Sequence, residues 1–270
     1  MPRSGSTLFM RIMATHPSVS VTSRMVLMGC MPNGKQRVRS AYDTFNPDYT
    51  IFKSQGKKES HPIWAQAMKS GCSVLVSKEE YGNDRFNGNS KCNECNYKMF
   101  PDQSLIRKIR PAFLFRHPFD VFDSWLARGW QDVKSFILCF NTLYNQFNET
   151  KIIIPETLFY IHDRMISSNE SQVSTFNAVC SYWNLLPKYR LDFDTEFGSD
   201  FLYWNDREKD IYVRRNPKGI FDTVKNSSTI IRNTNGHGLI EMRHKEAIQQ
   251  AGVLDKFHDI LNLDKECQSY

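Results

Sequence analysis

Leu8, Phe9, Ile12 and Met13 recur at the spacing of one helix face and stop near His16-Pro17, which predicts a helix opening directly after Thr7. From Ser18 to Ser60, Met, Gly, Pro and basic residues mix without a clear period, so strand ends and loops are expected there. Ser73-Val74-Leu75-Val76 is a short apolar run bounded by Gly71 and by Lys78-Glu79-Glu80, the pattern of a buried strand with charge at its carboxyl end. Asn83 to Lys98 is polar and Gly- and Asn-rich and predicts a surface excursion that covers the site.

Pro111 to Phe115 reads as a second buried strand; Arg116-His117-Pro118 then turns the chain, and a helix is expected over Asp120 to Trp130. A later strand falls on either Ile152-Ile153-Ile154 or Leu158 to Ile161, and Val173 to Leu186 predicts a helix with Phe176, Val179, Cys180 and Trp183 on one face. Leu239 to Leu263 reads as helical and mostly surface. Short buried strands that alternate with helices imply a parallel sheet covered on both faces, with ligands gathered at the strands' carboxyl ends.

Composition changes this picture little. The chain has 270 residues, 40% hydrophobic and 24% charged, which suits one packed domain over residues 1–270 and excludes a disordered chain. A net charge of +6 is modest, so an anionic small ligand accounts for it and no nucleic-acid partner is expected. Seven scattered cysteines and no apolar leader favour free thiols and a cytoplasmic location, and no run approaches the roughly 18 to 20 apolar residues of a membrane span. Cys92 and Cys95 have the spacing of half a zinc site but lack a second pair, and they read as two loop thiols with no metal.

The chemistry starts at Pro2-Arg3-Ser4-Gly5-Ser6-Thr7, a glycine, hydroxyls and a cation placed just ahead of a helix. Unpaired N–H groups at the helix start and the helix dipole favour an anion, Gly5 permits close approach, and Arg3 adds a bidentate fork. The segment departs from the G-x-x-x-x-G-K-[ST] pattern because the first glycine and the Lys-Ser/Thr pair are missing, which weakens an ATPase reading. A Ser/Thr helix cap is the plain structural alternative.

Pro2 to Leu8 resembles the 5'-phosphosulfate loop of the sulfotransferases that use 3'-phosphoadenosine-5'-phosphosulfate (PAPS), with the pattern P-[KR]-[ST]-G-[ST]-[ST]. Phe115 to Ser124 is similar to that family's 3'-phosphate element, an Arg after a strand and a Ser two helical turns along. The run from Pro101-Asp102 to Arg116-His117-Pro118 further resembles sulfotransferase-like proteins frequent in fungal genomes. The resemblance covers roughly the first half of the chain and implies a P-loop NTPase-like three-layer α/β/α fold with a central parallel sheet. Met1 stands directly before Pro2, so the strand that would lead into the loop is expected to be missing from this sequence.

By that resemblance, Ser4, Gly5, Ser6 and Thr7 hold the 5'-phosphate, Arg3 faces the bridging oxygen, and Arg116 and Ser124 hold the 3'-phosphate. Arg214, Arg215, Lys218 and Gly219 correspond imperfectly to a late basic loop that closes over the nucleotide, and Ser227 to Thr229 are the alternative. Sulfuryl transfer needs in-line positioning, charge stabilisation and a base for the acceptor's proton. Glu79 and Glu80, beside Lys78 at a strand end, are expected to face different ways, so one of them, Glu79 first, serves as base, and His117 is the rival. The activity implied is transfer from PAPS to the hydroxyl of a small-molecule alcohol, leaving PAP (3'-phosphoadenosine-5'-phosphate). The alternatives are a non-catalytic nucleotide-binding relative, a small-molecule kinase on the same fold, or a carbohydrate sulfotransferase whose membrane anchor was lost with the first strand.

Overall fold

A computed structural model describes residues 4–23, 52–54, 57–59, 73–78, 80–81, 106–107, 109–192 and 238–268, with the backbone alone for 22–23, 52–54, 57–59 and 265–268. Among them the chain is mixed α/β, with seven helices and three two-stranded sheets, two of which are parallel. Two compact units divide it: one comprises residues 1–5, 80–171 and 234–270, the other residues 6–79 and 172–233.

The second unit opens with helix α1, Ser6–Ala14, whose Leu8, Phe9, Ile12 and Met13 are buried as their spacing predicts. Strand β1, Val19–Ser23, lies in the stretch expected to hold only strand ends, and it pairs in parallel with β4, Val74–Lys78. Val19 stands opposite Val74 and Ser23 opposite Lys78, so the apolar run at 73–76 is extended by Ser77 and Lys78. Between them in sequence, β2 (Phe52–Ser54) and β3 (Lys57–Glu59) form an antiparallel pair.

Phe9 stacks on Phe176 at 5.4 Å and meets the edge of Trp183 at 6.2 Å, which ties α1 to the later part of the same unit. His16, 3% exposed, joins them as well: its Nε2 lies 2.7 Å from the Leu186 carbonyl, and its Nδ1 accepts the Ser18 N–H. A carbonyl only accepts and an N–H only donates, so Nε2 is the donor and Nδ1 the acceptor.

In the first unit, β5 (Phe113–Phe115) pairs in parallel with β6 (Phe159–Ile161), Phe113 opposite Phe159 and Phe115 opposite Ile161. The later strand is therefore the Leu158 to Ile161 alternative; Ile152 and Ile153 instead close a helix, with Ile152 82% exposed. Two helices cross over between the strands. Helix α2, Pro118–Leu126, begins two residues ahead of the expected start because Pro118 takes the first turn and the His117 ring accepts the Phe119 N–H at 3.3 Å.

Helix α3, Val133–Ile153, was not anticipated. Asp132 caps it, accepting the N–H of Lys134 and Ser135 and the Ser135 hydroxyl. Its buried Phe136, Cys139, Phe140, Leu143 and Phe147 make one apolar stripe, and the Phe147 ring meets Phe113, Phe115 and Phe159 at 5.2 to 5.4 Å. Each fully buried ring of this kind contributes about 1.5 to 3 kcal/mol of transfer free energy, so this stripe anchors both strands.

The four-residue helix α4 (His162–Met165) comes directly after β6, and α5 (Asn169–Tyr182) is next. Helix α5 stops at Asn184, whose φ of 55° lets the N–H groups of Asn184 and Leu185 return to the carbonyls of Ser181 and Cys180. The 239–263 stretch is two helices, α6 (Met242–Gln250) and α7 (Val253–Gln268), because Gly252 at φ 66° breaks the run. It is less superficial than its charges suggest: Ile248, Val253, Phe257 and Ile260 are all buried, and α7 packs on α2 and α3.

Candidate functional site

The carboxyl ends of β5 and β6 lie side by side, so the residues that leave one strand meet those that leave the other. After β5 come Arg116 and His117; after β6 come His162 and Asp163. The Asp163 carboxylate links them, with Oδ1 3.4 Å from His162 Nδ1 and 4.0 Å from Arg116 Nε, and Oδ2 accepting the His117 backbone N–H at 3.5 Å.

Burial pushes the Asp163 carboxyl up, but the hydrogen bond and charge of His162, the Arg116 guanidinium and the His117 N–H together outweigh it and hold the group below its usual range. Asp163 therefore stays ionised wherever its neighbours are charged.

Gly5 belongs to the same cluster. Its φ is 95°, and a Cβ added there would fall inside the His162 imidazole, so only glycine allows the two groups to pack this closely. The ring edge that faces Gly5 carries Cδ2 and Nε2. His162 is 93% buried, since its exposure is 7%, and among the described residues its Nε2 has no hydrogen-bond partner. Ser4, next to Gly5, is buried too, at 3% exposure.

The remaining expected site residues divide by location. In the first unit, Ser124 lies on α2, half-buried, and Glu80 is buried. His117 has its Nδ1 occupied by the Phe119 N–H, and its ring meets Phe119 and Phe257 edge-on at 5.5 and 5.4 Å. In the second unit, Ser6 opens α1, and Lys78 at the end of β4 donates from Nζ to Thr7 Oγ1 at 3.3 Å. Arg3, Glu79, Arg214, Arg215, Lys218 and Gly219 lie outside the described residues, as do Cys92, Cys95 and the Asn83 to Lys98 excursion.

His162 and Asp163 are the residues that sequence reasoning missed. The signal that picked out Arg116 applies to them equally, a polar pair directly after a short apolar strand, but with that strand undecided between two stretches the pair had no place. A separate cleft of about 530 Å³ lies at the other end of α2, lined by Leu126, Val133, Leu239 and His244 among others. Helix α2 is nine residues long, roughly 13 Å, which separates that cleft from His117 and from the Asp163 cluster.

Among the described residues no helix is long and apolar enough to cross a membrane. Comparison with known proteins finds no matching family model, no similar curated protein and no similar solved structure.

Proposed function

We propose that this protein is a PAPS-dependent sulfotransferase that moves a sulfuryl group to the hydroxyl of a small-molecule alcohol, on a P-loop-type α/β/α fold built around a parallel sheet. One observation carries the reading. Gly5 of the first motif and Arg116 of the second, more than a hundred residues apart in sequence, are drawn into one cluster through His162 and Asp163.

Each motif then has its task. The backbone at Ser4 and Gly5, followed by Ser6 and Thr7, receives the 5'-phosphate, and Arg3 stabilises charge on the leaving group. Arg116, with Ser124 on α2, receives the 3'-phosphate that separates PAPS from ATP. The acceptor oxygen attacks sulfur as the bond to the bridging phosphate oxygen breaks, and a base takes the hydroxyl proton. Glu79, Glu80 and His117 are the candidate bases. Lys78, which already holds Thr7 Oγ1, positions the loop's hydroxyl.

The test is ligand-dependent stabilisation, because a ligand that binds only the folded state must raise its melting temperature. PAP is expected to raise it and ADP to do so much less, with Arg116→Ala erasing the difference. Equal stabilisation by the two nucleotides would contradict the reading.

A further inference from the structure

We infer that the cleft at the far end of α2 is a binding site for an uncharged, mainly apolar molecule that carries a hydroxyl, and that this hydroxyl bonds to the His244 imidazole. The inference does not depend on the sulfotransferase reading, since the length of α2 separates this cleft from Arg116 and His117.

The walls come from three segments of the first unit. Leu126 ends α2, Gln131 and Val133 stand before and at the start of α3, and Leu239, Glu241, Arg243 and His244 lead into α6. The last segment is tied to α2 twice: the Leu239 N–H donates to Asp123 Oδ1 at 2.8 Å, and the His244 ring meets the Phe122 ring edge-on at 5.3 Å. The enclosed volume of about 530 Å³ falls among small-molecule pockets, which run from about 300 to 1,000 Å³.

Three observations fix the chemistry of the occupant. First, Nδ1 of His244 is a buried side-chain nitrogen with no hydrogen-bond partner, and among the described residues the ring makes no hydrogen bond through Nε2 either. Buried polar atoms are paired in folded proteins with few exceptions, so an unpaired imidazole in the wall of a cleft marks the place where a ligand group bonds. Second, the carboxylate and guanidinium of the lining cancel. Glu241 Oε2 and Arg243 Nε pair at 2.6 Å, Gln131 adds no charge, and an ionic head group would have to part that pair. Third, Leu126, Val133 and Leu239 give the cleft an apolar side, and Leu239 is 54% exposed, so a ligand that covers it removes apolar surface from water.

A hydroxyl both donates and accepts, and it pairs with an imidazole nitrogen whichever of the two carries the proton. A carboxylate only accepts and an ammonium only donates, and each brings a charge that the lining does not balance.

The probes are 1-octanol and octanoate, which share a chain and differ in the head group. Each is titrated into the ¹⁵N-labelled full chain, and the imidazole and backbone resonances are followed, that of the His244 ring being assigned by its loss in His244→Phe. Octanol is expected to shift the His244 ring together with the amides of Leu126, Leu239 and Arg243, and to bind more tightly than octanoate. His244→Phe, which keeps a ring against Phe122, is expected to weaken octanol about tenfold, the worth of one hydrogen bond. Leu239→Asn changes an exposed position and serves should His244→Phe fail to fold; its expected loss is about three- to tenfold. Octanol affinity unchanged in either folded variant, shifts confined to other parts of the molecule, or octanoate bound as tightly as octanol would each overturn the inference.

Discussion

At the scale of single residues, Gly5 makes the sharpest demand. Any side chain there must both accept a φ of 95° and displace the His162 ring. The backbone conformation alone costs about 1 to 3 kcal/mol for a non-glycine residue. Gly5→Ala is therefore expected to lower the urea midpoint and to abolish PAP binding. Adding His162→Ala should restore part of the midpoint by clearing space; no recovery would show that the contact does not limit the site.

Asp163 gives a pH prediction with a definite sign. Its folded-state affinity for protons is depressed, so its contribution to stability is present above the ordinary carboxylate value of about 4 and lost as pH falls through the lower folded value. Asp163→Asn should flatten the acid limb of the stability profile and leave its neutral region with the same slope. The carboxylate is 43% exposed, which keeps the effect small. Gly5 and Arg116 could be singled out in the sequence because each stands in a local motif that can be read without knowing its neighbours in space. His162 and Asp163 were not, because their meaning depends on which strand precedes them.

At the scale of elements, the sequence was most readable where one physical requirement dominated. Helix α1, strand β5 and helix α5 each show a single apolar face or run between clear stops. Helix α3 was harder, because its last residues, Ile152 and Ile153, form an apolar run with Ile154 that reads equally as a strand. The 239–263 segment misled in another way: its lysines and glutamates cover a face whose Ile248, Phe257 and Ile260 are buried, and Gly252 divides it.

Two substitutions test these elements. Asp132→Ala removes the cap of α3 and should cost about 0.5 to 2 kcal/mol in denaturant unfolding, while leaving the helix content by circular dichroism nearly unchanged. Phe147→Ala empties the place where α3 meets β5 and β6, and should cost about 3 to 5 kcal/mol. A loss of under about 1 kcal/mol would mean that α3 does not hold the strands, since cavities of that size are rarely so cheap.

At the scale of the whole molecule, the alternation of strands and helices gave the mixed α/β class, and the two parallel pairs β1–β4 and β5–β6 agree with it. What alternation does not contain is the long-range pairing, because a five-residue strand carries no record of its partner. In the first unit the pairing of β5 with β6 is what brings Arg116 and His117 beside His162 and Asp163. Fold alone does not give function, so the account stands on the chemistry of that neighbourhood.

The most direct measurement is a crystal structure of the protein with PAP. The account predicts the 5'-phosphate against Gly5 and the 3'-phosphate on the Arg116 guanidinium beside Ser124. Nucleotide bound with neither phosphate at Gly5 or Arg116, or found only in the cleft beyond α2, would contradict it.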